Sequence, residues 1–221
     1  IPALIQAQLQ GYYDLELNHQ VDDFLISDRR LADTLENSPT PRNTNEKLLV
    51  LEEADGLGIS LFLADELLAS LDGDNPFDHL NTSNLNAYCT VLEGVSHFVY
   101  LAYNALHDRP VSRLELELQA EVDKFVSIVL LARKQGVQIC WNDLNEMLFT
   151  HCRFDPELSR EERQRYRAAN DYASAYCSRL TLRSSGHIDN SSTRTELCRF
   201  YRKRHRDKFS RCFEPGAILP P

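Results

Sequence analysis

Two apolar runs near position 50 alternate as a half-buried ribbon does. Lys47-Leu48-Leu49-Val50-Leu51-Glu52-Glu53 and Leu57-Gly58-Ile59-Ser60-Leu61-Phe62-Leu63 flank Ala54-Asp55-Gly56. Asp-Gly between β-type runs predicts a two-residue hairpin turn. That register sets Ala54 opposite Leu57 and Val50 opposite Leu61. One face then carries Leu48, Val50, Leu57, Ile59, Leu61 and Leu63, while Glu53, Gly58 and Ser60 fall on the other. A two-stranded ribbon is marginal in water. It must lie on helices, gain a third strand, or pair with another chain.

Beyond Leu63 the apolar spacing turns helical. A short helix spans Ala64 to Leu71 and ends at Asp72-Gly73-Asp74-Asn75-Pro76. A long one runs from about Leu85 to Leu106 and stops at Asp108-Arg109-Pro110. Ser112-Arg113-Leu114-Glu115 is a capping box opening a helix to about Gln135, stopped by Gly136. Val137 to Trp141 reads as an extended link, followed by a brief helix from Asp143 to Thr150. A second box, Ser159-Arg160-Glu161-Glu162, opens a helix to about Arg183. A third, Thr193-Arg194-Thr195-Glu196, opens a basic terminal helix ending near Arg211. The expected fold is therefore α+β and predominantly α-helical: a bundle-like body with one small antiparallel hairpin at about 47–64. The expected organisation is one globular domain. It has an N-terminal helical arm over 1–36, a loop or linker over 37–45, a body over 46–213 and an irregular tail over 214–221.

Composition narrows the class. The 221 residues are 43% hydrophobic and 26% charged, ordinary for a globular protein. No apolar run approaches the roughly 20 residues that a membrane-spanning helix needs. Cysteines stand singly at 89, 140, 152, 177, 198 and 212. With no paired spacing and no signal-peptide pattern in IPALIQAQLQG, a reduced, cytoplasmic protein is expected. Charge divides unevenly. Residues 1–150 hold 9 Lys/Arg against 24 Asp/Glu, a net of −15, and residues 151–221 hold 15 against 9, a net of +6. An acidic body and a basic helix can satisfy each other within one chain or between two.

Walker-type loops, the dinucleotide fingerprint and the hydrolase nucleophile elbow are all missing from the sequence. His151 and Cys152 are adjacent, so their side chains diverge. The serine-rich loop Arg183–Ser192 offers hydroxyls and Arg194 to an anion, and equally what a turn and an N-cap need. The helix over 85–106 puts Glu93, His97, Tyr100, Asn104 and His107 on one stripe, and the next helix adds Glu117 and Glu121 one turn apart. Packed antiparallel, these helices would offer Glu93, His97, Glu117 and Glu121 to a divalent metal, the logic of carboxylate-bridged bundles. These two helices lack the Glu-x-x-His element of those bundles, and Arg113 and Lys124 stand ready to pair with Glu117 and Glu121 on an exposed face.

Two further sets are binding candidates. Arg163, Tyr166, Arg167, Asp171 and Tyr172 share a helix with small residues, a composition common at protein contacts. Arg199, Arg202, Lys203 and Arg204 form the densest basic run, beside Phe200 and Tyr201, which would stack bases if the run contacted nucleic acid. The favoured expectation is a non-enzymatic protein-binding or regulatory protein acting through helical surfaces, on a protein partner or on itself as a homodimer, with no membrane role. The alternatives are a metal-dependent enzyme between the 85–106 and 112–135 helices, and nucleic-acid contact through the basic helix 194–211.

Overall fold

The structure is a computed structural model that describes residues 1–36, 42–53, 56–150, 155–184 and 190–213. Its helices are α1 (Pro2–Tyr13), α2 (Arg29–Glu36), α3 (Asp65–Gly73), α4 (Leu85–Ala105), α5 (Arg113–Lys134), α6 (Trp141–Asn145, continued by a π turn over Glu146–Thr150), α7 (Arg160–Ser184), α8 (Ser191–Arg202) and α9 (His205–Phe213). The strands are β1 (Leu25–Ile26), β2 (Glu46–Glu53) and β3 (Gly56–Leu63). The fold is predominantly helical α+β, as expected.

Local chemistry explains the helix ends. Ser112 and Glu115 exchange the two bonds of a capping box at α5, and Ser159 and Glu162 do the same at α7. Gly136, at φ 74°, closes α5 in the left-handed region that glycine enters freely. The third box fails. Asn190, not Thr193, caps α8, its side chain accepting from the Thr193 amide at 2.7 Å. Thr193 is buried one turn inside the helix. The basic helix is also two helices, because Lys203 is extended and α9 restarts at His205.

α5 is the central element, packed on α4 and α7, while α1 and the sheet cover α4. The sheet is mixed and three-stranded in the order β1-β3-β2, with β1 parallel to β3, rather than a lone antiparallel hairpin. The ribbon thus gains a third strand and also lies on a helix. Its register differs from the expected one: Val50 pairs with Ile59 and Glu53 with Gly56. A two-residue slide leaves the same side chains on each face, so face patterning cannot distinguish the two registers. Positions 54–55, where the turn falls, lie outside the described residues.

The sheet's apolar face meets α4 at Gly94. A Cβ there would stand 2.8 Å from Glu46 Cγ and 2.9 Å from Leu61 Cδ1. The opposite face buries Leu49 and Phe62 against Ala32 of α2. Lys47 Nζ seals that face with ion pairs to Asp33 at 2.9 Å and Glu36 at 2.5 Å.

A polar network inside the core fixes α5 against its neighbours. Asp123 accepts from Tyr13 Oη, from Ser96 Oγ at 2.5 Å and from Gln119 Nε2 at 2.7 Å. Lys208 of α9, fully buried, donates to Gln119 Oε1 at 2.6 Å and Tyr100 Oη at 3.0 Å, with its ammonium 4.2 Å from the Tyr100 ring centre. Burial pushes Asp123 up to about 6 and pulls Lys208 down to about 7.

Gly94→Ala is expected to lower stability by about 1–3 kcal/mol through the clash, despite the gain in helix propensity. Gly11→Ala in α1, where a Cβ meets nothing within 4 Å, should raise stability by about 0.5–1 kcal/mol. Thermal or denaturant unfolding checks both signs. Lys208 also predicts a pH slope. The unfolded chain holds this proton up to the ordinary 10.5 and the folded one releases it near 7, so its contribution to stability climbs as pH rises between those values. Subtracting the Lys208→Met curve from wild type should isolate that climb, and a flat difference would refute it.

Candidate functional site

Along the open side of the sheet, β2, α4, α5 and α7 enclose a cleft of about 1400 Å³. Its floor gathers the side chains that the sequence placed on facing helices. Glu93 and His97 come from α4, Glu117 and Glu121 from α5, so all four candidate metal ligands line one cavity. One donor atom from each of Glu93, His97 and Glu117 lies within 4.8 Å of the others. His97 Nε2 stands 3.7 Å from Glu117 Oε2, and Nδ1 stands 3.8 Å from Glu46 Oε1. Lys124 Nζ bridges Glu93 Oε2 at 2.6 Å and Glu121 Oε1 at 2.8 Å. Arg165 Nε lies 3.6 Å from Glu117 Oε1.

The acidic pair of α5 is not on an exposed face as the sequence suggested. Glu117 is only 8% exposed, and its cation is Arg165 from another helix. The polar stripe of α4 also divides. His97, Leu101 and Ala105 follow the cleft, whereas Tyr100 turns to Lys208 and Asn104 donates to the Tyr100 carbonyl. Glu46, Arg165 and the bridging role of Lys124 were missed, since β2 and α7 are remote in sequence from α4. Two signals existed: a glutamate in phase with Leu48 and Val50 on the apolar face, and a glycine inside a long helix beside Glu93.

Electrostatics mark the cluster as strained by burial. Burial opposes a charged His97, but the Glu46, Glu117 and Glu93 carboxylates outweigh it and push the imidazole up to about 9. Burial lifts Glu117 to about 7 and raises Glu46 as well. Glu93 moves the other way because Lys124 and His97 overcome its burial. Four buried side-chain atoms belonging to residues of this cleft make no hydrogen bond: His97 Nε2, Glu46 Oε1, Arg165 Nε and Arg109 Nη1. Buried polar atoms are rarely left so.

The other candidates do not converge. Arg163 donates to the Pro156 carbonyl at 3.0 Å. Tyr166 lines the cleft under the Arg165 guanidinium. Tyr172 packs on Phe209 and Phe213, and Arg167 and Asp171 are exposed. In the basic run, Arg202 donates to the Asp14 carbonyl at 2.6 Å, while Arg194 donates to Gly11 at 2.9 Å. Both thereby satisfy the negative C-terminal end of α1. Arg199 and Arg204 are exposed and Lys203 half-buried. Phe200 and Tyr201 are 0% and 1% exposed, stacked on Tyr176 and Tyr13, so neither ring is available to a base. Residues 151–154, with His151 and Cys152, and residues 185–189 of the serine-rich loop lie outside the described residues.

Lys124→Met should strand two carboxylates and cost about 3 kcal/mol or more, and adding Glu93→Gln should recover part of that loss. An additive double-mutant cycle would show the bridge to be idle. No helix among the described residues is long and apolar enough to cross a membrane. Comparison of the chain with protein-family models, with curated proteins and with solved structures found no match, so the function rests on this geometry alone.

Proposed function

We propose that the protein is a metal-dependent enzyme whose centre is a divalent cation held by Glu93, His97 and Glu117 on the floor of the cleft. One observation carries this reading. His97, 7% exposed, has an Nε2 with no hydrogen-bond partner 3.7 Å from Glu117 Oε2, and one donor atom each of Glu93, His97 and Glu117 lies within 4.8 Å of the others, close enough to share one ion.

Charge supports it. Glu46, Glu93, Glu117 and Glu121 face two fixed cations, Lys124 and Arg165. With a neutral His97 the cluster is two negative charges in excess, which a divalent ion balances. Glu46 sits beside Nδ1, where a carboxylate orients a metal-bound imidazole and fixes its tautomer. One imidazole with two carboxylates suits Zn²⁺, Mn²⁺ or Fe²⁺ better than Mg²⁺ or Ca²⁺. Such an ion supplies Lewis acidity and an activated water, and the reaction class we assign is metal-assisted hydrolysis. In this chain Lys124 holds Glu93 and Arg165 holds Glu117, so the donors stay aimed at one point. The buried, unpaired thiols of Cys177 and Cys212 support a reducing, cytoplasmic setting. The protein-binding reading keeps one observation, the exposed apolar tip of the hairpin at Val50, Leu51 and Leu57.

Purified protein stripped with chelator is expected to take up about one equivalent of Zn²⁺ or Mn²⁺ by calorimetry, and His97→Ala to lose it while keeping its unfolding midpoint within a few degrees. Failure of wild type to bind either ion at micromolar concentration, or equal binding by His97→Ala, refutes the site.

A further inference from the structure

The cleft is lined by consecutive residues from Thr44 to Val50, the last five of them in β2. Successive side chains of a strand point to opposite faces. A cavity touching all of them therefore runs along the strand's edge. Both neighbouring layers confirm that placement: Glu36 of α2, which covers one face, and Cys89 of α4, which covers the other, also line the cleft. β2 is an edge strand in the order β1-β3-β2.

The register shows which backbone groups face out. Ala64 N donates to Asn45 O at 3.0 Å, so Asn45 is a hydrogen-bonded position towards β3. Alternation along an antiparallel ladder then turns Lys47, Leu49 and Leu51 inward, and Glu46, Leu48 and Val50 outward. The Glu46 carbonyl is already taken by Thr44 Oγ1 at 2.9 Å, as an outward group's can be. Among the described residues nothing pairs with the N–H and C=O of Leu48 or Val50. Val50 is 47% exposed and Leu57, on the same face of β3 two residues from Val50's partner Ile59, 37%, an apolar patch near the open edge.

From this we infer that the cleft takes an extended polypeptide segment, which adds as a fourth strand to the outer edge of β2. The inference rests on the proposed metal site for its chemical meaning, since it makes an extended peptide the substrate class. The edge alone supplies the binding. A volume of about 1400 Å³ exceeds the roughly 300–1,000 Å³ of small-molecule sites. Outward amides at alternate residues recognise backbone and little else, as strand addition does. Glu46 continues the same strand to within 3.8 Å of His97, so a segment seated on the edge passes over the carboxylate–imidazole floor.

The test uses full-length protein and a fluorescein-labelled pool of capped ten-residue peptides alternating Val with Lys, Glu or Thr. Anisotropy should show saturable binding below about 1 mM. Residue-resolved amide exchange should slow at Leu48 and Val50 on peptide addition and stay unchanged at Leu49. Val50→Pro removes one outward N–H and no ladder bond, so it should weaken binding about tenfold, the worth of one hydrogen bond. Val50→Thr should bind as wild type does. His97→Ala should bind the pool normally while losing metal, and Val50→Pro should keep metal while losing peptide, which separates this inference from the metal reading. No binding of the pool, protection elsewhere than Leu48 and Val50, or a homodimer in sedimentation whose β2 amides are already protected would each overturn it.

Discussion

The approach of the sheet to α4 at Gly94 decides where everything else can stand. With hydrogen in place of a side chain, β2 and β3 come close enough that any Cβ would meet Glu46 and Leu61 below 3 Å. That contact carries the Glu46 carboxylate into the same buried space as His97, one turn along the helix. A larger residue at 94 would lift the sheet, take Glu46 away from the imidazole and open the cleft floor to water. Helix propensity favours almost any residue over glycine here, so the glycine is explained by the neighbour it admits.

Two polar networks lie within the same helical body, and they are built to opposite ends. Around Asp123 and Lys208 each named group has a partner: the carboxylate accepts from a phenol, a serine and an amide, and the ammonium donates to Gln119 and Tyr100 over aromatic rings. Satisfied networks of this kind rigidify a core. The cluster at Glu46, Glu93, His97 and Glu117 is as charged and nearly as buried, yet it leaves its imidazole nitrogen and a carboxylate oxygen without hydrogen bonds at the floor of a cleft. The chain evidently can satisfy a buried charge where it needs to. Incompleteness beside a cavity therefore points to something that enters, a distinction that neither the residue types nor their degree of burial makes alone.

Much of this was legible in the sequence wherever the controlling interaction is local. The capping boxes at Ser112 and Ser159 mark helix starts because their bonds lie within three residues, and Glu93, His97, Glu117 and Glu121 converge because two amphipathic helices joined by a short loop must pack antiparallel. Thr193 misled because the box pattern says nothing of an earlier asparagine able to cap first. Phe200 and Tyr201 looked like base-stacking rings beside cations, but an aromatic next to arginine is equally a core residue on the far side of a helix, and only the packing of α1 and α7 against α8 decides. Glu46, Arg165 and the third strand were out of reach for the same reason, each being fixed by a contact between segments distant in the chain.

The uneven charge of the two halves acquires a structural meaning from these contacts. Arginines of the basic third bind the C-terminal carbonyls of α1 through Arg194 and Arg202, hold Glu196 through Arg211 and reach Glu117 through Arg165, while Lys208 is buried in the core. Much of the positive excess is thus spent inside the molecule, and little of it arrives at the cleft floor, where four carboxylates meet two fixed cations. Coulomb repulsion among them in a buried site is relieved by protonating a carboxylate, the direction in which Glu117 and Glu46 are shifted, or by a further positive charge. Protonated His97 supplies one, and its side chain lines the cleft while leaving a buried ring nitrogen without a hydrogen bond. A dication would replace that proton and complete the neutralisation, so the proposed ion-binding role rests on where the chain's basic residues run out as much as on which ligands are present.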